Sequence, residues 1–319
     1  MVSASRLRTV GVWACLLLMA DQAHAQNLCR AAPLGVQVLG SGGPFAGSDR
    51  ASTSYLVWVD GRAAVMVDAG GGAFLRFGES GAELEALSLV AVSHLHPDHV
   101  ADLPALLWLS ERARKQPLPI AGPSGNDAFP GIRLFLRRLF DGATGAFQVL
   151  SGTVGGPGAG VSLDISEIDA ASTQPVNVVS AGTLRVTALP VAHGNAPAIA
   201  YRIDVGNRAI VFSSDQNGKT PGFASFAKDA DALVMHLVLS PLAVATQQGL
   251  HAAPRTVGEV ATSANAKKLV LGHFTKPSRL EAAPETFSLS DLPGSVREVS
   301  ATYKGPVVVS KDLECITVP

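Results

Sequence analysis

The stretch SHLHPDH, residues 93–99, places three histidines and an aspartate within seven positions of a 319-residue chain that contains eight histidines. The apolar residues 89–92 directly before it predict a short strand. After it, Leu103, Leu106 and Leu107 recur at helical spacing, which predicts a helix. The stretch therefore lies in a loop between a strand and a helix.

The side chains in this loop are typical metal ligands. His94 and His96 alternate along an extended backbone and can project to one side, while Asp98 and His99 follow at a turn. A catalytic zinc ion usually takes three protein ligands and leaves one position for water. Four residues are too few for two such ions, so the loop predicts that further ligands lie elsewhere in the chain.

Three later residues are candidates for these ligands. His193, Asp215 and His273 each come just after a predicted strand. Loops at one edge of a sheet can bring distant residues together on a rigid scaffold. A single histidine at a strand end is ordinarily a hydrogen-bonded structural residue. Three such positions joined to a four-ligand loop favour a two-metal site instead.

Each half of the chain contains several strand signals followed by a strand and helix unit, which predicts an α/β protein with an αββα sandwich. Residues 117–180 are the least regular part. They contain a helix candidate around 130–140 and a glycine-rich run at 152–160, which predicts a flexible loop. The sequence does not determine the role of 117–180, for which a lid and a simple spacer are the alternatives.

The N-terminal residues 1–25 are typical of a secretory signal peptide. Arg6 and Arg8 precede an apolar run at 10–20, and the small-residue pattern Ala23-His24-Ala25 follows. A membrane anchor is the weaker alternative, because a bilayer span needs about 20 apolar residues. We expect a periplasmic or secreted protein with one domain, residues 26–319, and no membrane association after signal cleavage.

Cleavage would leave two cysteines, Cys29 and Cys315, near opposite ends of the mature chain. An oxidising compartment permits a disulfide between them, and two unpaired thiols are the alternative.

The net charge of −1 shows no electrostatic footprint for a polyanion, and Arg133, Arg137 and Arg138 form the one concentrated basic run. We interpret that run as the solvated face of a helix and expect nucleic acid to be an unlikely partner. The sequence does not indicate an oligomeric state.

These motifs together resemble a known family. Residues 94–99 match the HxHxDH signature of the metallo-β-lactamase fold, and His193, Asp215 and His273 stand in the order which that fold uses. Further motifs resemble its ribonuclease Z-like branch, namely Leu39–Gly43 with Arg50 and Ser54, Val67–Gly72, and His251 ahead of Leu269–His273. The resemblance implies two mixed β-sheets flanked by helices.

The resemblance also implies a role for each site residue. His94, His96 and His193 would bind one zinc ion, and Asp98, His99 and His273 the second. Asp215 would bridge the two ions and His251 would be a proton donor, with an incidental surface histidine as its alternative. Manganese or iron could replace zinc in such a ligand set. Asp98 would also be catalytic by orienting a metal-bound hydroxide. We interpret Asp68 as a hydrogen-bonding partner of the histidine loop and His236 as structural or as a support for the ligands.

The implied reaction is hydrolysis, and three features separate this chain from typical ribonuclease Z enzymes. It carries an export signal, it lacks a basic footprint, and only 22 positions separate His193 from Asp215, too few for an RNA-binding arm. We therefore expect a small-molecule ester substrate, namely a small phosphodiester or an aryl sulfate. The alternatives are β-lactam or lactone hydrolysis, ribonuclease Z-type RNA cleavage, and metal binding without turnover.

Overall fold

The computed structural model describes residues 28–46, 48–276 and 284–318. The predicted signal peptide, residues 1–25, lies outside the described residues. In these ranges the strands fall into two mixed seven-stranded sheets. The strands are β1 (Leu34–Gly40), β2 (Ser54–Val59), β3 (Arg62–Val67), β4 (Leu89–Ala91), β5 (Leu118–Pro123), β6 (Leu163–Ile168), β7 (Val176–Ala181), β8 (Leu184–His193), β9 (Ala196–Val205), β10 (Arg208–Phe212), β11 (Ala232–His236), β12 (Leu269–Gly272), β13 (Val307–Val309) and β14 (Cys315–Val318).

Helices cover the outer faces of both sheets. They are α1 (Ala73–Ser80), α2 (Pro97–Val100), α3 (Leu103–Ala113), α4 (Ile132–Phe140), α5 (Phe223–Phe226), α6 (Ala245–Gln248), α7 (Pro254–Ser263) and α8 (Leu292–Thr302), with 3-10 turns at Leu84–Ala86, Gln148–Val154, Pro284–Thr286 and Ser288–Ser290. The apolar spacing explains α4, since Ile132, Leu136 and Phe140 are buried one turn apart while Arg137 and Arg138 are exposed. The three arginines around 133–138 are therefore on a solvated face, as predicted.

The strand order in each sheet determines where residues of chemical interest can meet. The first sheet runs β14-β1-β2-β3-β4-β5-β6 and the second β13-β12-β11-β10-β9-β8-β7. In the first, β3 to β6 are parallel, and in the second, β10 to β13 are parallel. Parallel neighbours end at one sheet edge, so the loops after β3, β4, β10, β11 and β12 gather there.

The buried apolar side chains form three clusters that match four layers. One cluster, including Val36, Val65 and Ile210, joins residues of both sheets. Another lies between the first sheet and helices α1, α3 and α4, and a third between the second sheet and α5, α7 and α8. Full burial of each large aliphatic or aromatic side chain contributes roughly 1.5–3 kcal/mol. The predicted αββα sandwich is confirmed.

Residues 117–180 are neither a lid nor a simple spacer. This segment contains β5 and β6 of the first sheet, helix α4, and β7 of the second sheet. Both β6 and β7 are edge strands with mainly half-buried or exposed side chains. Edge strands bury few apolar groups, so their sequences carry a weak strand signal. In the predicted loop at 152–160, residues up to Val154 belong to a 3-10 turn.

A disulfide between Cys29 and Cys315 connects residues 286 positions apart in the sequence. Cys315 begins β14, which pairs antiparallel with β1. The alternative of two unpaired thiols is therefore wrong.

None of the helices within the described ranges is both long enough and apolar enough to cross a membrane.

We expect removal of the disulfide to destabilise the fold substantially. A bridge across so long a loop restricts the unfolded chain, and its loss typically costs about 2–5 kcal/mol of unfolding free energy. Urea denaturation of the Cys29→Ser, Cys315→Ser double variant measures this cost. Cys29→Ser alone is the matched comparison and should lose a similar amount. A double variant within about 0.5 kcal/mol of wild type, the range of neutral substitutions, would contradict a stabilising bridge.

Candidate metal centre

The site lies where strands of both sheets end. From the first sheet, β3 leads into Asp68, and β4 leads into the loop that carries residues 93–99. From the second sheet, β8 ends at His193, β10 leads to Asp215, and β12 leads to His273. All seven predicted ligands are brought to this one place, although they span 180 positions of sequence from His94 to His273.

The first group of donors consists of His94, His96, His193 and Asp215. His94 Nε2 lies 3.0 Å from His96 Nδ1, and His193 Nε2 lies 3.4 Å from the same nitrogen. Asp215 Oδ2 is 3.8 Å from His94 Nε2 and 3.7 Å from His193 Nε2. One donor atom from each residue therefore faces a common centre.

The second group consists of Asp98, His99 and His273. His99 Nε2 and His273 Nε2 are 3.1 Å apart, and Asp98 Oδ2 lies 3.2 Å from His273 Nε2. The Asp215 carboxylate also reaches this group, with Oδ1 3.3 Å from His273 Nε2 and Oδ2 3.7 Å from His99 Nε2. The Asp215 carboxylate therefore faces both groups, as a bridging carboxylate requires.

Hydrogen bonds behind the donors fix the orientation of the imidazole rings. Asp68 accepts from the Ser93 backbone N–H at 2.6 Å and the Ser93 hydroxyl at 2.7 Å, and its Oδ2 lies 2.8 Å from His99 Nδ1. His193 Nδ1 lies 3.0 Å from the Leu250 carbonyl oxygen. These contacts favour Nδ1 as the donor nitrogen of both rings and turn Nε2 towards the site, where it can bind a metal ion. The predicted role of Asp68 as a hydrogen-bonding partner is confirmed.

Three residues at the site have left-handed backbone conformations without being glycine. Asp68, Ser214 and His273 have φ angles of 59°, 58° and 58°. Each such residue costs about 1–2 kcal/mol relative to a right-handed conformation. Next to His273 the space is also tight, because a Cβ atom on Gly43 would lie 2.6 Å from His273 Nδ1. These strained backbone conformations direct the side chains at these turns towards the centre.

The charges of the two carboxylates are set by the surrounding histidines. Burial alone would raise the pKa of Asp98, but the charges of His99 and His273 and a hydrogen bond from His273 outweigh burial and lower it to about 2. For Asp215 burial also acts upward, and His273, His251 and hydrogen bonds from His236 and His99 hold its pKa well below the usual range. Both groups are therefore ionised at neutral pH, the form that binds cations.

Two divalent cations fit this donor set. The Nε2 of His94 is fully buried and points at another imidazole nitrogen, and burial lowers its pKa well below the usual value. A neutral imidazole with its proton on the far nitrogen presents a lone pair, and two such lone pairs that face each other can share a cation. Three imidazoles with a carboxylate suit zinc, while the additional carboxylate oxygens also suit manganese or iron.

His236 contacts the predicted ligands directly. Its Nδ1 lies 2.6 Å from Asp215 Oδ1, and its ring centroid is 4.6 Å from that of His273. Together with Asp215 and His273 it forms a third possible donor group. The available signal was topological, because β11 lies between β10 and β12 and ends at His236. Its bond to Asp215 agrees with a supporting role.

The metal centre opens into a cavity of about 420 Å³. Asp98 and His251 lie in its wall, with Pro44, Pro97 and Leu250 as its apolar part. His251 Nδ1 lies 3.8 Å from Asp215 Oδ2 and has no hydrogen-bond partner among the described residues. Burial lowers the pKa of His251 to about 3, so its imidazole is neutral at neutral pH and carries a single N–H.

The glycine-containing motif Leu39–Gly43 supports the centre from one side. Asp312 accepts hydrogen bonds from Ser41 N at 3.0 Å and from Ala51 N at 2.7 Å. The Arg50 guanidinium carbon lies 4.9 Å from the ring centroid of Phe274, next to His273. Arg50 also donates to the Ser310 carbonyl oxygen at 2.8 Å. Arg50 therefore packs the loops behind His273 and does not line the cavity.

The comparison with known families agrees with this geometry. A family model described as a beta-lactamase superfamily domain matches residues 64–274, which include all seven predicted ligands. The chain belongs to the metallo-β-lactamase superfamily. Among curated relatives, ribonuclease Z from Mycobacterium sp. (strain KMS) is 28% identical over 262 residues, covering 76% of this chain and 84% of that enzyme.

Solved structures of the superfamily share the fold. The metallo-beta-lactamase fold protein YhfI from Bacillus subtilis has a TM-score of 0.65 and 22% identity, covering 89% of this chain and 98% of that one. Human tRNase Z, short form, has a TM-score of 0.63 and 19% identity, covering 89% of this chain and 99% of that one. The resemblance to the ribonuclease Z-like branch is confirmed.

The expectation that nucleic acid is an unlikely partner is wrong. Curated relatives that match about three quarters of this chain are named ribonuclease Z. The expectation used the net charge of the whole chain, which sums over every surface. Binding of a phosphate depends on the local charge of the site, and a metal centre supplies that charge without a basic surface.

We expect Asp68→Asn to weaken metal binding by about 10- to 100-fold, because an amide cannot orient the His99 ring as the carboxylate does. Competition with a chromogenic chelator measures the affinity. Asp60→Asn is the matched control, since Asp60 is exposed and also has a positive φ angle of 46°. Equal affinities in Asp68→Asn and Asp60→Asn would rule out the orienting role.

Metal analysis of purified protein tests the ligand assignment. We expect about two transition-metal ions per chain in wild type and about one in His96→Ala, because His96 belongs to one donor group only. His236→Ala should retain both ions, since its contact is a hydrogen bond to Asp215. Loss of an ion from His236→Ala but not from His96→Ala would refute the seven-residue set. Elemental analysis also identifies the metal.

Proposed function

We propose that this protein is a two-metal hydrolase that cleaves phosphodiesters. The observation that carries the proposal is the pair of adjacent donor groups joined by Asp215, which opens into a single cavity. Two metal ions held side by side are suited to in-line displacement at phosphorus. The ribonuclease Z relatives support RNA as a candidate substrate alongside small diesters.

Two metal ions held by these donor groups would activate a water for attack and stabilise negative charge on the attacking and leaving oxygens. Asp98 lines the cavity and is ionised, so its carboxylate can accept a hydrogen bond from the attacking water and orient it. Asp215 places a fixed negative charge between the two donor groups. Together these residues would orient the attacking water.

His251 acts on the leaving group and not on the attacking water. Since its imidazole is neutral, the N–H that it carries can donate a hydrogen bond to the leaving oxygen. This differs from the sequence expectation of a proton donor with a near-neutral pKa, because burial disfavours the charged imidazole. In the overall reaction water forms a new P–O bond, the bond to the leaving oxygen breaks, and that oxygen takes up a proton to give a monoester and an alcohol.

We also propose that the protein acts after export. The signal-peptide pattern at residues 1–25 and the disulfide that begins at Cys29 both support an oxidising compartment, where structural disulfides persist. Zinc is the proposed metal, because imidazole and carboxylate ligands suit it. Export would place the metal centre in contact with substrates of the periplasm or the medium.

Parallel assays of one metal-loaded preparation test the proposed function. The substrates are bis(4-nitrophenyl) phosphate, a short single-stranded RNA, an aryl sulfate, a cephalosporin and a lactone. We expect kcat/KM to be highest for one of the two phosphodiesters. Asp215→Asn should lower it by at least about 100-fold, because the bridging charge is lost.

Asp164→Asn provides the control, since Asp164 is an exposed residue of β6. It should retain wild-type activity. Thermal unfolding of both variants shows whether each still folds. Fastest turnover of the aryl sulfate, the cephalosporin or the lactone would overturn phosphodiester hydrolysis as the proposed function.

A further inference from the structure

A second cavity adjoins the one that opens from the metal centre. Its volume is about 380 Å³, and it shares His193, Asn195 and Ala196 with the metal cavity of about 420 Å³. Each volume is within the range of ligand-binding pockets, about 300–1,000 Å³. One molecule can occupy both cavities if it crosses the rim that these three shared residues form.

Loops from both sheets form the second cavity. Residues 124–126 follow β5 and residues 169–171 follow β6, both in the first sheet. The opposite wall is the tight turn at Gly194 and Asn195 between β8 and β9 of the second sheet. The turn begins directly after His193, so any group in the second cavity lies beside a metal ligand.

The two asparagines at this boundary have different tasks. Asn126 Nδ2 donates to the Asn195 carbonyl oxygen at 2.8 Å, and Asn126 Oδ1 accepts from the N–H groups of Ala128 and Phe129, each at 2.9 Å. Its Nδ2 therefore joins the loop to the turn, and its Oδ1 holds the loop's own backbone. Asn126 is a positioning residue for the wall between the cavities.

Asn195, in contrast, has an exposed side chain whose carboxamide forms no hydrogen bond within the described ranges. The residue lines both cavities. A carboxamide offers one acceptor and a donor group side by side, which matches the edge of a nucleobase. Asn195 is thus placed to contact a substrate at the junction between its two parts.

The charge of the second cavity indicates which part it takes. Its described lining includes Asp169 but neither lysine nor arginine. Asp169 Oδ1 accepts from Ala171 N at 3.0 Å, and Ser124 Oγ accepts from Ala170 N at 3.0 Å. A carboxylate without a nearby cation disfavours a second phosphate and favours a neutral group with hydrogen-bond donors, such as the amino and hydroxyl groups of a nucleoside.

We propose that the two cavities form one two-armed substrate cleft. The metal cavity takes the scissile phosphate, the second cavity takes a nucleoside of the same diester, and Asn195 at the junction determines specificity. This inference rests on the proposed phosphodiesterase function and specifies its substrate class as nucleotide diesters.

The test compares two diesters that differ in the group for the second cavity. They are adenylyl-(3′,5′)-adenosine and methyl 4-nitrophenyl phosphate, and the measured quantity is the ratio of their kcat/KM values. Loss of a substrate hydrogen bond in Asn195→Ala should lower this ratio about three- to tenfold. Ala171→Trp, which fills the cavity from an exposed position, should lower it at least tenfold because the nucleoside no longer fits.

Asn177→Ala is the matched control, since Asn177 is an exposed asparagine on β7 that does not line either cavity. It should leave the ratio at the wild-type value. Calorimetric titration with adenosine 5′-monophosphate adds a readout that does not depend on turnover. Its dissociation constant should increase in Asn195→Ala and Ala171→Trp but not in Asn177→Ala. If Ala171→Trp fails to fold, Asn195→Ala decides by itself.

The outcomes separate this inference from the proposed function. Hydrolysis of the methyl aryl ester with a wild-type ratio in Asn195→Ala and Ala171→Trp would overturn the second arm and leave the phosphodiesterase function in place. If wild type hydrolyses neither ester, the proposed function fails. In that case weaker nucleotide binding in both variants still supports a nucleoside site, and unchanged binding overturns it.

Discussion

The carboxylate of Asp215 contacts histidines carried by both sheets. Its oxygens lie within 3.8 Å of nitrogens from six histidines, namely His94, His99, His193, His236, His251 and His273. An ionised carboxylate buried to this degree costs several kcal/mol unless opposite charge and hydrogen bonds surround it. Hydrogen bonds and charge from the imidazoles of both halves of the chain offset part of this cost. Because Asp215 lies between the two donor groups, its carboxylate is suited to bind two cations.

The rest of the architecture is consistent with that requirement. Parallel strands in each sheet end at the same edge, and short turns after them project donors inward. Positive φ angles at Asp68, Ser214 and His273 show that these turns are not the lowest-energy local conformations. Three apolar clusters and the disulfide between Cys29 and Cys315 supply the stability that permits such strain. The ligands are rigid because the scaffold around them is well packed.

Strong local patterns made much of the fold predictable. The apolar strands and the helix of α4 lie where periodicity indicated, because buried elements need uninterrupted or regularly spaced apolar residues. Residues 117–180 carry weak signals, since their edge strands bury little apolar surface. Net charge misleads in a similar way, because a sum over the chain discards the location of each charge. The supporting role of His236 agrees with the sequence, but its partner Asp215 is set by the packing of neighbouring strands.

The sequence by itself determined the chemical inventory: the HxHxDH loop, three further ligands that each follow a strand, and the αββα layering. The family resemblance implied the two donor groups and the bridging role of Asp215, and the tertiary structure brought those residues together. Only the tertiary structure decided that His236 bonds to that carboxylate and that the terminal cysteines pair. It also decided that a second cavity shares Asn195 with the first. The physical reason is that residue type and local periodicity are encoded along the chain. Distances between strand ends, in contrast, depend on how two sheets pack, and that is a property of the whole fold.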